Sequence, residues 1–161
     1  MKEELIKSTK KNLKMQTIIK KWEDLSINEV QSIFGLRSEV FIVEQECPFQ
    51  DVDGRDPEAH HLLLYENNIL CGYTRIFSKN TYFKEASFGR TVVKKKYRGK
   101  GYGHVLVKES IAFLKSKEEN TIKISAQSYL KKFYLSHGFI PTGDEYLEDN
   151  IPHTAMFLIF S

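Results

Sequence analysis

The sequence predicts one α/β domain in which helices cover the faces of a mixed β-sheet. Apolar runs with the two-residue period of strands alternate with runs of helical period, in the order β-α-β-β-β-α-β-α-β-β. The length of 161 residues is enough for one domain with a sizeable core. Hydrophobic residues make up 41% of the chain and aromatic residues 12%, which indicates a folded rather than a disordered protein.

The first half of the chain predicts four strands and one helix. Ser26, followed three residues later by Glu29, is the capping box that begins many helices. The apolar residues after it predict a helix that reaches about Val43 and is broken near Gly35. The expected strands cover residues 15–20, 61–65, 69–77 and 86–93, the second and third form a hairpin, and an acidic, turn-rich loop covers residues 50–59.

The second half of the chain begins with a glycine-rich segment and a helix. This helix is expected to run to about Lys115, because apolar residues recur on one face as they do in helices packed on a sheet. Gly138 has the position of a C-cap for a second, short helix. The other predicted elements are a strand over residues 121–126, the short helix over 129–136, and two final strands over 139–140 and 154–160, separated by a loop over 143–152.

The segment YRGKGYGHVLV, residues 97–107, places three glycines and two cations directly before an apolar helix. The first N–H groups of a helix have no partner within the helix and bind anions well. Glycine at positions 99, 101 and 103 leaves no Cβ in the way, and Arg98 and Lys100 add positive charge. The segment therefore predicts a pyrophosphate-binding loop, although it lacks the Gly-Lys-Ser/Thr of a P-loop and the third glycine of a dinucleotide-binding fingerprint.

Composition and charge disfavour several other functions. The net charge is only +3 and basic residues are interleaved with acidic ones, so no nucleic-acid partner is expected. No run reaches the roughly 18 apolar residues of a membrane span, and no secretory signal is visible. Two cysteines, Cys47 and Cys71, fit a reducing compartment, which predicts a cytoplasmic protein. Residues 1–14 predict a flexible basic leader, and residues 15–161 a single domain.

No metal is expected to bind. Asp51-x-Asp53-Gly54 begins like a calcium-binding loop, but its glycine comes too early and no glutamate stands at the twelfth position. His60 and His61 are neighbours on a strand and face opposite ways, and no zinc-ligand spacing recurs with Cys47 or His153.

Four stretches, in this order, resemble the GNAT superfamily of N-acetyltransferases and, within it, the ElaA-like branch. The glycine segment matches the superfamily's coenzyme A loop as Arg98-x-x-Gly101-x-Gly103 after a strand that ends in Val92-Val93. The stretches are LRSEVFIVEQECPFQDVDGRDPEAHHL, SFGRTVVKKKYRGKGYG, ISAQSYLKKFYLSHGF and EYLEDNIPHTAM. The resemblance implies a GNAT fold with a mostly antiparallel central sheet of about six to seven strands, splayed between the fourth and fifth, and helices on both faces.

The resemblance also implies that acetyl-CoA is the co-substrate. The backbone of Val92 and Val93 is then expected to pair with the pantetheine arm, and an amide there stabilises the oxyanion that forms from the thioester. The diphosphate is held chiefly by main-chain amides of Arg98, Gly99, Lys100, Gly101, Tyr102 and Gly103, so changing side chains 100 or 102 is expected to have mild effects. Phe133 and Tyr134 match a second landmark, with Phe133 in the core beside the cofactor.

The resemblance and side-chain chemistry together suggest residues for proton transfer. Tyr134 is the expected general acid, because a phenol can protonate the departing thiolate. Glu44, with a pKa raised in the cleft, is the first candidate for general base, directly or through water. Asp53 and His153 are further options for this role. Packing is the alternative function for Tyr134, and a simple helix-end charge for Glu44.

The acceptor is expected to be a small molecule with a primary amine, contacted by Gln45, Asp53, Arg90 and His153. Arg90, with Arg75 beside it, is expected either to bind an anionic group of the acceptor or to pair with an acid of the loop. An acceptor with both charges, such as the amino-sugar phosphate glucosamine 6-phosphate, fits these residues, while polyamines and peptide amines stay open. A non-catalytic acyl-CoA-binding module is the alternative to an enzyme, and by analogy with the superfamily a homodimer is expected.

Overall fold

The computed structural model describes residues 14–161, and within them the predicted order of elements is confirmed. The predicted basic leader, residues 1–14, lies outside the described residues except for Lys14. The strands are β1 (Met15–Lys21), β2 (His60–Glu66), β3 (Ile69–Phe77), β4 (Ser87–Val93), β5 (Thr121–Gln127), β6 (Ile140–Glu148) and β7 (Ile151–Ile159), and the α-helices are α1 (Ile27–Arg37), α2 (Tyr102–Ser116) and α3 (Lys131–Leu135).

Two antiparallel sheets meet at a single point and then diverge. The first has the strand order β1-β2-β3-β4 and the second the order β5-β7-β6. They are joined where Ala86 and Ile122 form a parallel bridge, with the Lys123 N–H donating to the Ala86 carbonyl over 2.9 Å. Beyond this bridge β4 and β5 separate, so the predicted splay between the fourth and fifth strands is confirmed.

Helices pack on both faces of the first sheet, and each face has its own core. Helix α2 lies on β3 and β4, α3 lies on β5 and β6, and α1 covers the opposite face of β3 and β4. The α2 side buries Leu62, Leu64, Ile76, Phe88, Leu106, Leu114, Ile122 and Met156, whereas the α1 side buries Ile33, Leu36, Val40, Leu63, Tyr73 and Val92. Residues 62, 63 and 64 thus alternate between the two cores, as a strand buried on both faces requires.

Strand β4 contains a β-bulge. Tyr73 pairs with Val92 but Arg75 pairs with Gly89, so one residue of β3 lies opposite two of β4, Arg90 and Thr91. Arg90 has a φ of 51°, which is uncommon for a residue with a side chain. The extra residue reverses the alternation of the strand: Phe88 lies in the core under α2, whereas Val92, four residues later, lies in the core under α1.

The first helix is longer than a simple α-helix and is not broken where expected. Its capping box is confirmed, because the Ser26 hydroxyl accepts from the Glu29 N–H and the Glu29 carboxylate accepts from the Ser26 N–H. The expected break near Gly35 is wrong: α1 runs through it to Arg37 and continues as a wider π-helix over Ser38–Glu44. A π-helix has a larger turn, and such turns are frequent at functional sites.

The loop expected over residues 143–152 is also wrong. Strands β6 and β7 extend into this range and are joined by the two-residue turn Asp149-Asn150, whose φ values are 51° and 60°. The β6 side chains are almost all exposed, so the strand has no apolar alternation for sequence analysis to detect. Gly143, at a φ of 77°, interrupts the β6–β7 register between Thr142 and Tyr146.

A buried network of charges holds the acidic loop against the sheet. Arg37, fully buried, pairs through Nε with Asp51 at 2.8 Å and through Nη1 with Asp56 at 2.6 Å. Arg75, also buried, pairs with Asp53 at 2.8 Å and with Asp56 at 3.2 Å. These pairs fasten the loop to α1 and β3. Each buried charge has an opposite charge beside it, which offsets much of its desolvation cost.

We predict that Arg37→Met destabilises the fold by about 3 kcal/mol, because Asp51 and Asp56 each lose one of two cationic partners and three buried or partly buried acids then share two arginines. Urea unfolding followed by circular dichroism measures the change. Lys94→Met is the matched control, since Lys94 and Glu39 form a partly exposed pair at 3.7 Å and such pairs contribute less than about 1 kcal/mol. Equal unfolding midpoints for the two variants would contradict the stabilising role of the network.

Candidate active site

The divergence of β4 and β5 opens a cleft of about 750 Å³. Its sides are β4 and β5, its ends are the glycine-rich segment and the β3–β4 loop, and the π-helix and the β6–β7 turn close over it. The residues that line it include Glu44, Gln45, Phe49, Phe77, Tyr82, Phe83, Gly89, Arg90, Val92, Val93, Arg98, Gly99, Gly101, Gly103, Ser125, Gln127, Phe133, Tyr134, Glu148 and His153. Most of the predicted site residues are therefore brought together.

The glycine-rich segment forms an open cradle at the start of α2. Gly99 and Gly101 have φ values of 81° and 80°, a conformation that strains residues with a Cβ, and nothing lies within 4 Å of where that Cβ would be. The first hydrogen bond within α2 runs from the Val105 N–H to the Gly101 carbonyl. The N–H groups before Val105 therefore have no acceptor within the helix. The arrangement has free donors and no obstruction, and it suits an anion.

The side chains at positions 100 and 102 point away from this cradle. The Lys100 ammonium and the Tyr102 hydroxyl both donate to one oxygen of Glu66, over 2.7 and 2.6 Å. These hydrogen bonds hold the pKa of Glu66 below its usual value and raise that of Tyr102 to about 12. The Lys100 ammonium was expected beside the bound anion. In the structure it binds Glu66 instead, because the Glu66 carboxylate lies within reach at the end of β2.

Arg98 links the glycine-rich segment to the π-helix. Its Nε donates to the Val93 carbonyl over 2.9 Å, and its Nη2 donates to Glu44 over 3.0 Å. The hydrogen bonds from Arg98 hold the pKa of Glu44 below its ordinary value. The expectation of a raised pKa for Glu44 is therefore wrong, because sequence analysis could not place a guanidinium beside it.

The gap side of β4 exposes the backbone of Val93. Across the ladder the Lys94 N–H donates to the Cys71 carbonyl over 2.8 Å, and bonded and non-bonded pairs alternate in an antiparallel ladder. Val92, two residues before Lys94, therefore directs its N–H and C=O toward Tyr73. Val93 directs both groups away from β3, and its carbonyl accepts from Arg98 Nε, so its N–H is the group that faces the gap without this partner. Of the two residues predicted to offer their backbone, only Val93 has this orientation.

Tyr134 lies inside the cleft and Phe133 at its rim. Tyr134 is 8% exposed and packs near Phe88 and Phe139, and burial raises the pKa of its phenol to about 12. Phe133 is half-buried and would lie 3.6 Å from a Cβ added at Gly103. Phe133 was expected to be the core residue of this pair, but the structure buries Tyr134 more deeply, because the short helix α3 turns that side chain under the sheet.

The remaining predicted residues lie on the far side of the cleft, in two groups. Gln45 exchanges side-chain hydrogen bonds of 3.3 Å with Gln127 of β5, and His153 Nε2 lies 3.1 Å from Glu148. Arg90 Nε lies 2.8 Å from Asp51 and its Nη2 lies 3.5 Å from Asp53. Of the two alternatives for Arg90, the structure has the ion pair with the acidic loop.

Asp53 is not a free carboxylate. Burial tends to raise its pKa, but hydrogen bonds from Arg75 outweigh this and hold the pKa well below the ordinary value. An acid that gives up its proton so readily is a weak base near neutral pH.

Several residues that line the cleft were not predicted from the sequence. Gln127 and Glu148 stand at strand ends, and Phe49, Tyr82 and Phe83 lie in loops. The aromatic pair at 82–83 in a polar loop was the one visible signal, because large apolar side chains outside a predicted strand or helix need a surface to cover.

Comparison with known proteins identifies the arrangement. A family model described as an acetyltransferase (GNAT) domain matches residues 23–160. The chain belongs to the GNAT family. It is 34% identical over 143 residues to Protein ElaA of Escherichia coli. The matched region covers 84% of this chain and 94% of ElaA.

Solved structures agree with this assignment. An acyl-CoA N-acyltransferase from Pseudomonas aeruginosa superposes with a TM-score of 0.84 at 33% identity, over 89% of this chain and 99% of the other. The crystal structure of Escherichia coli ElaA superposes with a TM-score of 0.80 at 32% identity, over 90% and 98% of the two chains. The predicted ElaA-like GNAT fold is confirmed, and the family supports acyltransferase activity.

GNAT acyltransferases use acyl-CoA, and the cleft has the features that such a thioester requires. The cradle at residues 99–103 is open to a diphosphate, and the gap beside Val93 is free of a partner strand. Within residues 14–161, no three His, Cys, Asp or Glu side chains are grouped so that they could hold a metal ion. In the same part of the chain no helix has the length and apolar character needed to cross a membrane.

We predict that Gly101→Ala raises the dissociation constant of acetyl-CoA at least about tenfold, whereas Lys100→Met changes it less than about threefold. The added methyl strains a left-handed position and enters the cradle, but Lys100 is engaged with Glu66. Isothermal titration calorimetry of each purified variant measures both constants. A larger loss in Lys100→Met than in Gly101→Ala would show that side-chain charge, not main-chain amides, binds the diphosphate.

Proposed function

We propose that this protein is an N-acetyltransferase that moves the acetyl group of acetyl-CoA to a primary amine by direct attack of the amine on the thioester. The observation that carries the proposal is that the anion cradle, the exposed backbone of Val93 and the buried Tyr134 open on one cleft. Main-chain donors at residues 99–103 hold the diphosphate, and Phe133 covers the rim beside Gly103. The predicted main-chain contribution of Arg98 is wrong, because its N–H donates to the Lys95 carbonyl over 3.2 Å.

The backbone of β4 orients the thioester in this proposal. Val93 provides an N–H in the gap for the pantetheine arm, its carbonyl accepts from Arg98 Nε, and Val92 beside it closes the wall of the cleft. A donor held in the ladder needs no rearrangement when negative charge develops on the thioester oxygen, which is how fixed donors lower a barrier. Beyond the bulge at Arg90 and Thr91, β4 stays paired with β3 but has no neighbouring strand on its β5 side.

Tyr134 donates the proton that the departing thiolate needs. Its raised pKa keeps the phenol protonated across the neutral range, so the proton donor is present at every neutral pH. The same rise makes the phenol a weaker acid than an ordinary tyrosine, so its proton moves only as the thiolate forms beside it. The buried Tyr134 phenol and the gap beside Val93, where the thiolate forms, both belong to the cleft. The proton therefore passes from the phenol to the thiolate inside the cleft.

Glu44 accepts the proton of the amine, through ordered water, in this proposal. While it pairs with Arg98 its carboxylate is ionised and weakly basic. A diphosphate in the cradle competes with Glu44 for the guanidinium, because Arg98 belongs to the cradle itself. Binding of acetyl-CoA thereby releases Glu44 from its partner and raises its basicity before the amine is attacked. His153 is the alternative acceptor of the proton.

The surroundings of the protein are also proposals. We place it in the cytoplasm, because Cys47 and Cys71 are both buried free thiols and burial raises the pKa of Cys71 to about 11. A homodimer is supported by the long, exposed edge strand β6, on which Leu147 is 70% exposed. Light scattering across a concentration series measures the mass and decides between monomer and dimer.

We predict that Tyr134→Phe lowers kcat about 100-fold or more and leaves the dissociation constant of acetyl-CoA within about twofold. The ring still packs near Phe88, but no proton is delivered to the thiolate. Thiol release from acetyl-CoA in the presence of an amine panel measures the rate, and calorimetry measures the affinity. Because the phenol pKa is raised to about 12, the wild-type kcat is not expected to fall between about pH 7 and 9.5.

Three results would contradict these assignments. An unchanged rate in Tyr134→Phe would leave this residue with a packing role alone. A loss of acetyl-CoA affinity as large as the loss of kcat would make Tyr134 a cofactor contact. Tight acetyl-CoA binding by the wild type without turnover of any amine would favour the non-catalytic binding module.

A further inference from the structure

The part of the cleft on the α1 side of the sheet, which we call the acceptor chamber, has two unlike walls. Arg75 of β3 pairs with Gly89 of β4, and directly paired residues project from the same face. Tyr73, two residues before Arg75, packs in the core under α1, so this is the α1 face. The aromatic wall is Phe49, Phe77, Tyr82 and Phe83, and the polar wall is Ser125, Gln127, Glu148 and His153.

The arginines of the chamber are neutralised by the protein itself. Arg75 is 2% exposed and its two terminal nitrogens lie 2.8 and 2.9 Å from the two oxygens of Asp53. Arg90 lies 2.8 Å from Asp51, a carboxylate whose side chain is 2% exposed. A phosphate entering the chamber would have to displace the buried Asp51 from Arg90 and the partly exposed Asp53 from Arg75. The ion pairs therefore oppose an acceptor with an anionic group, including an amino-sugar phosphate.

Three of the four rings of the aromatic wall form a connected row. The Phe77 and Tyr82 rings are stacked with centroids 4.9 Å apart, and Tyr82 meets Phe83 edge to face, also at 4.9 Å. Phe49 is the fourth ring and lies beside Arg90, whose guanidinium is 5.8 Å from the Phe49 ring centroid. Phe49, Tyr82 and Phe83 are only half-buried and line the cleft. The Lys123 ammonium lies 4.6 Å from the Phe83 ring centroid and the Arg55 guanidinium 5.2 Å from that of Tyr82, so each of these two rings has a cation near it and only the rest of its surface is available to a ligand. Pockets of this kind bind the apolar part of a ligand.

The floor between the walls is open. A Cβ added at Gly89 would meet no atom within 4 Å, although this residue lines the cleft directly beside the bulge. Across from it, the Ser125 hydroxyl and His153 Nε2 lie 3.2 and 3.1 Å from one oxygen of Glu148. The polar wall thus offers a carboxylate to an ammonium group, while the aromatic wall offers surface to a hydrocarbon body.

We propose that the acceptor is a primary amine with an apolar, ring-sized body, as in an arylalkylamine. The body packs on Phe49, Tyr82 and Phe83, and the amino group turns toward Glu148 and the bulge of β4. This inference rests on the proposed acetyl transfer and specifies its acceptor. An apolar group on the aromatic wall has a second possible source, a long acyl chain on the thioester, and the experiment separates the two.

The test compares kcat/KM of the full-length protein for 2-phenylethylamine, ethylamine and glucosamine 6-phosphate with acetyl-CoA. We expect 2-phenylethylamine to exceed ethylamine at least about tenfold, because the ring leaves water for the aromatic wall. Glucosamine 6-phosphate is expected to be the poorest of the three. A second series uses ethylamine with acetyl-CoA and hexanoyl-CoA, and we expect no gain from the longer chain.

Phe83→Ala is expected to reduce the preference for 2-phenylethylamine to about threefold or less. Phe113→Ala is the matched control, because Phe113 is a half-buried aromatic residue of α2 that packs on His60 and does not line the cleft. It is expected to keep the full preference. Acetyl-CoA affinity, measured by calorimetry, verifies that each variant is folded, and the wild-type substrate series does not depend on either variant.

Several results would overturn the inference. Equal kcat/KM for 2-phenylethylamine and ethylamine, or a preference for glucosamine 6-phosphate, would exclude an apolar acceptor. A higher kcat/KM with hexanoyl-CoA than with acetyl-CoA, together with equal values for the two amines, would assign the aromatic wall to the acyl chain. If acetyl-CoA binds but no amine is acetylated, the proposed function fails. In that case calorimetry of the CoA-bound protein still tests the chamber, and 2-phenylethylamine that binds no more tightly than ethylamine overturns it.

Discussion

Arg90 and Thr91 of β4 together face one residue of β3, Thr74, and the arrangement of the cleft follows from this bulge. The extra residue reverses the direction of every later side chain, so β4 contributes Phe88 to the core under α2 and Val92 to the core under α1. It also increases the local twist, as bulges do, and β4 parts from β5 beyond the bridge at Ala86. A sheet without this irregularity would continue its hydrogen bonding and leave no gap.

The charge network maintains this irregular region. Arg90 has a left-handed backbone, which costs energy in a residue with a side chain, and its guanidinium pairs with Asp51. Asp51 is also bound to Arg37, so the strained strand, the acidic loop and α1 share one set of ion pairs. The same pairs remove free positive charge from the chamber. In the proposed function, the residues that stabilise the site thereby also select the acceptor.

Sequence patterns were sufficient for the elements with strong periodicity and for the cradle. The capping box at Ser26, the helix after the glycines and the strands buried on both faces follow from local rules of hydrogen bonding and apolar period. The cradle was predictable because glycine spacing and the start of a helix are both local. Strand β6 was not predictable, since its side chains face water and show no alternation.

The chemistry of individual side chains depended on partners that are distant in the chain. Glu44 meets Arg98 across 54 positions, and Lys100 meets Glu66 across 34, so neither the lowered pKa of Glu44 nor the loss of Lys100 from the cradle follows from local sequence. Arg90 was expected to bind either an anionic group of the acceptor or an acid of the loop. The fold of the loop places Asp51 beside it, which the local sequence does not reveal.

By itself, therefore, the sequence determined the order of the elements, the family resemblance and the place of the glycine-rich cradle, because these depend on neighbouring residues. The tertiary structure decided which charges are free, which backbone groups face the gap and which aromatic side chains line the chamber, because a carboxylate or a ring acquires its role from whatever the fold packs against it.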